Sequence, residues 1–244
     1  GYGWRITWGV FALAGALVIL LAFKIMKNPP SAEVSEPRDN PAPSKGIYTN
    51  PNVIKIGVLY GILGMTYIIQ AVFIMSYMIE AGVDVRVAGQ LMAASGILSI
   101  FCGPIWGIVS DRLGRKISLI FTAGFTSFSM LIPIFFPTML GFVTHIIILG
   151  CTMNGLFTLI QASSMDIVKP NEAPVAFGYV TFYYAIGQFI GPTIGGWLID
   201  EWGGFQSAFL FCSLMLGVNF LLAFTVKKSE PVQNPVTQIH TGVN

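Results

Sequence analysis

The chain has 244 residues, of which 54% are hydrophobic and 10% charged, with a formal net charge of +2. Soluble domains carry about 25% charged residues, so water is excluded as the main solvent, and so small a charge argues against a nucleic-acid partner. The three cysteines, Cys102, Cys151 and Cys212, sit inside apolar runs at spacings that match no disulfide or metal pattern, where cysteine acts as a small hydrophobe.

In chain order, seven apolar runs reach the roughly 20 residues that crossing a bilayer requires. They are 6–25, 54–79, 87–110, 117–136, 139–165, 175–199 and 205–226. Each is apolar nearly all round, as membrane helices are, so the fold expected is an all-α membrane protein. Between the first two runs, residues 27–52 carry Pro29, Pro30, Pro37, Pro41, Pro43 and Pro51 among serines and mixed charges. That composition predicts a flexible linker. Residues 228–244 are polar and predict a disordered tail. The other connections are short, so successive helices are antiparallel neighbours. Residues 1–5 show no signal-peptide pattern.

Seven spans place the loops alternately on two sides. Arg5 and Arg86 fall on one side, and the remaining eleven of the thirteen basic residues fall on the other. By the positive-inside rule, the linker, the 111–116 loop, the 166–172 loop and the C-terminus are expected to be cytoplasmic. The first run also echoes the last. With 3–23 laid on 204–224, Gly3, Leu13, Leu20, Leu21, Ala22 and Phe23 meet identical residues. The first and last helices then read as equivalent members of two repeats, with five helices of the first repeat upstream of Gly1.

The loop at 107–116 reads Gly107-Ile-Val-Ser-Asp111-Arg112-Leu-Gly114-Arg115-Lys116. Gly107 permits close helix approach and Gly114 a tight turn. Asp111 closes a helix C-terminus, where the dipole disfavours an anion. Arg112, Arg115 and Lys116 can pair with acids, and Asp166 is the best placed. Topology alone calls for cations, not for the aspartate or both glycines, so a conformational latch is weighed above a simple basic loop.

This G-x-x-x-D-R-x-G-R-K segment resembles the signature loop of the major facilitator superfamily. That loop lies between helices 2 and 3 and is often repeated between helices 8 and 9. The resemblance implies that the seven spans are helices 6 to 12 of twelve. Residues 1–26 would then be the last helix of an N-terminal bundle and 53–227 the six-helix C-terminal bundle. It also implies a latch role for Asp111, Arg112 and Arg115, and resembles most closely the prokaryotic permeases. In the sixth run, Gly178, Gly187, Gly191, Pro192, Gly195 and Gly196 resemble the glycine-rich motif of proton-coupled exporters in the same superfamily. There the motif lies in helix 5; here it lies in helix 11, the equivalent helix of the second repeat. The residues themselves support a packing and hinge face, with Pro192 adding a kink.

Polar side chains recur at membrane depth. Tyr60, Tyr67, Gln70 and Tyr77 share a face of the second run. Asn154, Thr158 and Gln161 share one on the fifth, and Thr181, Tyr184 and Gln188 one on the sixth. Single residues could serve as interhelical hydrogen bonds, worth ~0.6 kcal/mol each. As a set, Tyr67, Gln70, Asn154, Thr158, Gln161, Tyr184 and Gln188 predict a substrate cavity. The resemblance implies the same, because helices 7, 10 and 11 contribute to the family's cavity.

None of the eleven acids lies deep in a span, nor does any Lys or Arg; His145 is the one deep histidine. It reads as a hydrogen-bonding member more than a proton relay. If transport is proton-driven, the coupling carboxylate belongs to the upstream half. No metal-ligand cluster, nucleophile elbow, Walker loop or Rossmann loop is present, so no cofactor and no enzyme activity are expected. A retinal-type receptor would need a lysine inside its last helix, and 205–226 has none. The reading is a multi-pass cell-membrane transporter whose partners are the lipid bilayer, a small organic solute, protons and its own N-terminal half. Proton-coupled export leads, uptake of an organic acid or sugar follows, and a seven-helix receptor is the alternative of another class.

Overall fold

A computed structural model describes residues 3–25 and 46–226. They form eight helices: α1 Gly3–Ile25, α2 Gly46–Thr49, α3 Pro51–Glu80, α4 Val85–Leu113, α5 Arg115–Phe135, α6 Met139–Asp166, α7 Ala173–Glu201 and α8 Phe205–Ala223. Each expected span falls on one helix. Among the described residues there is no strand. The chain is an all-α, multi-pass membrane protein.

α1 belongs to a unit of its own, and α2–α8 form a second. Along α1 no residue is buried, and the Arg5 guanidinium lies 4.9 Å from the Trp4 ring centroid. Six of the seven long helices are long and apolar enough to cross a membrane. α7 has the length, at 29 residues, but its glycines, Tyr179, Tyr183, Tyr184 and Gln188 lower its apolarity.

The expected linker ends earlier than residue 52. Residues 46–49 are helical, and Pro51 opens α3 at its first position. There its missing N–H costs nothing. Asn50 caps the helix, its side chain accepting from the Asn52 N–H at 3.0 Å. The rest of the linker and the tail at 228–244 lie outside the described residues.

Helices α3 and α6 make up much of the interior, whereas α4 buries few of its residues. α3 and α7 meet backbone to backbone. A Cβ at Gly187 would strike the Gly61 carbonyl, one at Gly191 would strike Ile68, and one at Gly195 would lie 2.8 Å from Phe73. α3 answers with Gly57, Gly61 and Gly64, which face Tyr183 and Tyr184. The expected packing face is therefore two-sided, and the α3 glycines were not singled out above. Gly178 and Gly196 have nothing within 4 Å of an added Cβ, so they take no part in the seam. Pro192 lies within a continuous α7.

At the end opposite the basic loop, α5 carries Pro133 and is followed by Pro137. Pro133 lacks the N–H that would bond the Ser129 carbonyl, and the Pro133 carbonyl is one of the last four of α5, which have no partner within the helix. Both receive side chains from other helices. His145 Nδ1 lies 2.7 Å from the Ser129 carbonyl oxygen. The Tyr77 hydroxyl donates to the Pro133 carbonyl at 2.7 Å. A carbonyl only accepts, so Nδ1 carries the imidazole proton. Tyr77 also stacks on Phe205 at 5.4 Å and meets Phe142 edge-on. His145 thus meets a carbonyl that Pro133 leaves free within a continuous helix.

Candidate functional site: a cavity at membrane depth

α3, α4 and α6 enclose a cavity of about 250 Å³. Its polar wall is Tyr67 and Gln70 from α3, Ser95 and Ser99 from α4, and Asn154 from α6. Met92, Leu149 and Met153 supply apolar wall. Gly96 has open space where a side chain would begin, and Gly150 lets α4 approach, since a Cβ there would lie 3.3 Å from Leu98. α4 and α6 are held on each other by Asn154 Nδ2, which donates to the Ser99 carbonyl at 2.8 Å. They are held also by Trp106, whose Nε1 donates to the Cys151 carbonyl at 2.7 Å and whose ring covers Gly155.

Of the seven residues expected to share a cavity, the structure brings Tyr67, Gln70 and Asn154 to this one. The other four lie elsewhere. Gln161 Nε2 donates to the Tyr60 hydroxyl at 2.6 Å, and Gln188 Nε2 donates to the Tyr184 hydroxyl at 2.7 Å. Tyr60 and Tyr184 stack with centroids 4.6 Å apart. Phe157 packs edge-on against Tyr60, Tyr67 and Tyr184 and so links this group to the cavity wall. Thr158 bonds back to the Asn154 carbonyl at 2.9 Å and faces Gly103 of α4. A shared helical face could not separate these cases, because an amide that finds a protein partner and one that does not look alike in sequence. Ser95 and Ser99 were missed. Their spacing of four beside Gly96 was the available signal, within a helix that otherwise reads as lipid-facing.

At the basic end, Gly114 caps α4 and starts α5 with φ +91°, a conformation glycine adopts at little cost. Arg115 is the hub. Its Nε lies 3.1 Å from Asp166 Oδ2, and its Nη1 lies 2.7 Å from Ser110 Oγ and 3.6 Å from Asp111 Oδ1. Asp166 therefore meets Arg115 rather than Arg112 or Lys116, and the pair ties the α4–α5 turn to the end of α6. Among the described residues Arg112 and Lys116 form no ion pair. Gly107 has nothing within 4 Å of an added Cβ, so no described helix approaches closely there; its carbonyl accepts from Ser110 Oγ at 2.7 Å. Among the described residues no three His, Cys, Asp or Glu side chains are grouped to hold a metal.

A model of the Major Facilitator Superfamily matches residues 56–241. Monocarboxylate transporter 12 of Mus musculus is 28% identical over 75% of this chain and 39% of its own length. Monocarboxylate transporter 6 of Mus musculus is 25% identical over 98% of this chain and 59% of its own length. In fold, the chain resembles the crystal structure of the human organic anion transporter MFSD10, with a TM-score of 0.64 at 17% identity. That match covers 75% of this chain and 49% of the other. The chain thus spans less than two thirds of the length of each of these proteins. These three are mammalian proteins.

Proposed function

The chain belongs to the major facilitator superfamily, a family of transporters, and from that premise we propose that it forms helices 6 to 12 of a secondary transporter working by alternating access. The solute is a small organic molecule held at the α3–α4–α6 cavity. The observation that carries this reading is the convergence of Tyr67, Gln70, Ser95, Ser99 and Asn154 on one space at membrane depth. Intramembrane polar groups cost free energy and mark pathways. The basic end faces the cytoplasm of a cell membrane, as the eleven-to-two distribution of basic residues supports. Gln161, Gln188, Tyr184 and Thr158 support the wall from behind rather than touching solute.

Asp111, Arg112 and Lys116 form the latch toward the N-terminal bundle, with Gly107 leaving room for it. Arg115 and Asp166 hold the turn that presents them. Replacing Asp111 by Asn should slow turnover while membrane insertion stays normal; unchanged turnover would sink the latch.

Proton-coupled export is the leading mode, supported by the glycine motif of α7. The second reading, movement of an organic acid, is favoured by the names of the relatives, two of them monocarboxylate transporters. Liposomes holding the intact protein and loaded with candidate solutes separate the two. Acid outside should speed release under exchange with protons and slow it under cotransport. Absence of any protein-dependent flux would remove the transporter reading.

A further inference from the structure

Most hydroxyls and amides of the six-helix unit that lie away from the cavity are committed to protein partners. Thr66 bonds the Ile62 carbonyl at 2.9 Å, and Thr126 bonds Thr152 at 3.0 Å. Ser127 and Ser213 exchange bonds with each other's carbonyls at 2.9 and 3.0 Å. Asn219 bonds the Leu59 carbonyl at 3.0 Å. The cavity wall is different. Gln70 is only 5% exposed, yet its amide forms no hydrogen bond among the described residues, nor do the hydroxyls of Tyr67, Ser95 and Ser99. Asn154 spends its amide N–H on Ser99 and keeps its carbonyl oxygen unbonded. The Ser118 and Ser163 hydroxyls, the Asn219 carbonyl oxygen and His145 Nε2 are also buried without a partner among the described residues, but singly and outside the wall of this cavity.

Gln70 is buried, and the Tyr67, Ser95 and Ser99 hydroxyls and the Asn154 oxygen beside it are half-buried. A buried amide without a partner is costly, so the group around this one space calls for an occupant that bonds it. The wall also has a definite chemistry. Gln, Tyr and Ser each offer both a donor and an acceptor, and the free Asn154 oxygen is an acceptor. No Lys, Arg, Asp or Glu lines the space. A carboxylate only accepts, so it would leave the Asn154 oxygen unpaired. It would also bring a charge that no described wall residue compensates into a site of low dielectric, which is costly. A hydroxyl or carboxamide both donates and accepts, and it carries no charge. Met92, Leu149 and Met153 add an apolar flank for a short hydrocarbon part.

We infer that the solute is an uncharged molecule bearing a hydroxyl or carboxamide that bonds Gln70 and Asn154, with a small apolar portion against the methionines. This rests on the reading of the cavity as the transport site. It separates the chain from the monocarboxylate transporters and the organic anion transporter that it resembles.

The test is thermal melting of the intact protein in detergent at neutral pH with matched pairs: lactamide against lactate, benzamide against benzoate, and glycerol against glycerate. The uncharged members should raise the melting temperature and the carboxylates should not. Gln70→Ala and Asn154→Ala should weaken that effect about tenfold, the loss of one bond to a buried polar group. Gln70→Asn keeps the amide in case the alanine variant fails to fold, and should retain part of the shift. If the carboxylates act and Gln70→Ala abolishes their effect, the cavity stands as the transport site and the uncharged class is overturned. If the uncharged compounds act equally on Gln70→Ala, the assignment of Gln70 is overturned. If no compound of either kind acts, both the inference and the transport-site reading fall.

Discussion

Two buried polar regions of the six-helix unit treat hydrogen bonds in opposite ways. Around Pro133, the Pro133 and Ser129 carbonyls that α5 leaves free are each met by a side chain from another helix, Tyr77 from α3 and His145 from α6. Around the cavity, Gln70 and three hydroxyls have no hydrogen-bond partner among the described residues. The two regions use residues of similar polarity on the same helices, α3 and α6. Polarity at membrane depth therefore does not identify a site. What separates structure from site is that unused hydrogen-bonding groups gather around one space at the cavity and occur singly elsewhere.

The largest effect expected belongs to the region around Pro133. His145→Leu should lower stability by about 1–3 kcal/mol, because the Ser129 carbonyl is left buried and unpaired. His145→Gln can still donate and should recover much of that loss. Its transport should keep the wild-type pH dependence; a displaced pH profile would show that the imidazole does more than bond the Ser129 carbonyl. Tyr77→Phe should cost somewhat less, since the aromatic contacts with Phe142 and Phe205 survive. In both cases solute affinity should be unchanged, read by melting and by flux in the same preparation.

A smaller effect on stability, with a clear one on solute, is expected at the wall. Gln70→Leu should leave the melting temperature of the unliganded protein equal or higher, because no protein hydrogen bond is lost and an unpaired amide is removed. A destabilised Gln70→Leu protein with unaltered solute binding would merge the two regions and erase the distinction. The smallest effect is expected for Thr158→Val. Its hydroxyl bonds only its own helix, so affinity should stay within about twofold, given ~0.6 kcal/mol for such bonds.

Much of the fold was legible before the structure. Run lengths located seven helices, and the spacing of four in Gly187, Gly191 and Gly195 marked the seam. The partner ridge of Gly57, Gly61 and Gly64 has the same kind of spacing but is embedded in a run of large apolar residues that masks it. Pro51 read as linker because a proline at the first helical position and one in a loop have the same neighbours. The site was only half legible. Tyr67, Gln70 and Asn154 were chosen for polarity and depth, but so were Gln161 and Gln188, whose partners Tyr60 and Tyr184 are decided by three-dimensional packing. Tyr77 lies 56 residues from Pro133, so no local pattern could join the frozen carbonyl to its donor.

The most direct measurement is water access to the wall. In a background with Cys102, Cys151 and Cys212 replaced by Ala, single cysteines Gln70→Cys and Thr126→Cys would be exposed to a small charged thiol reagent in membranes. We expect Gln70→Cys to react and to be protected by the solute, with Thr126→Cys inert, since Thr126 is buried and bonded to Thr152. Equal inertness at both positions would mean that Gln70 lies in sealed protein, and the cavity could not be the transport site.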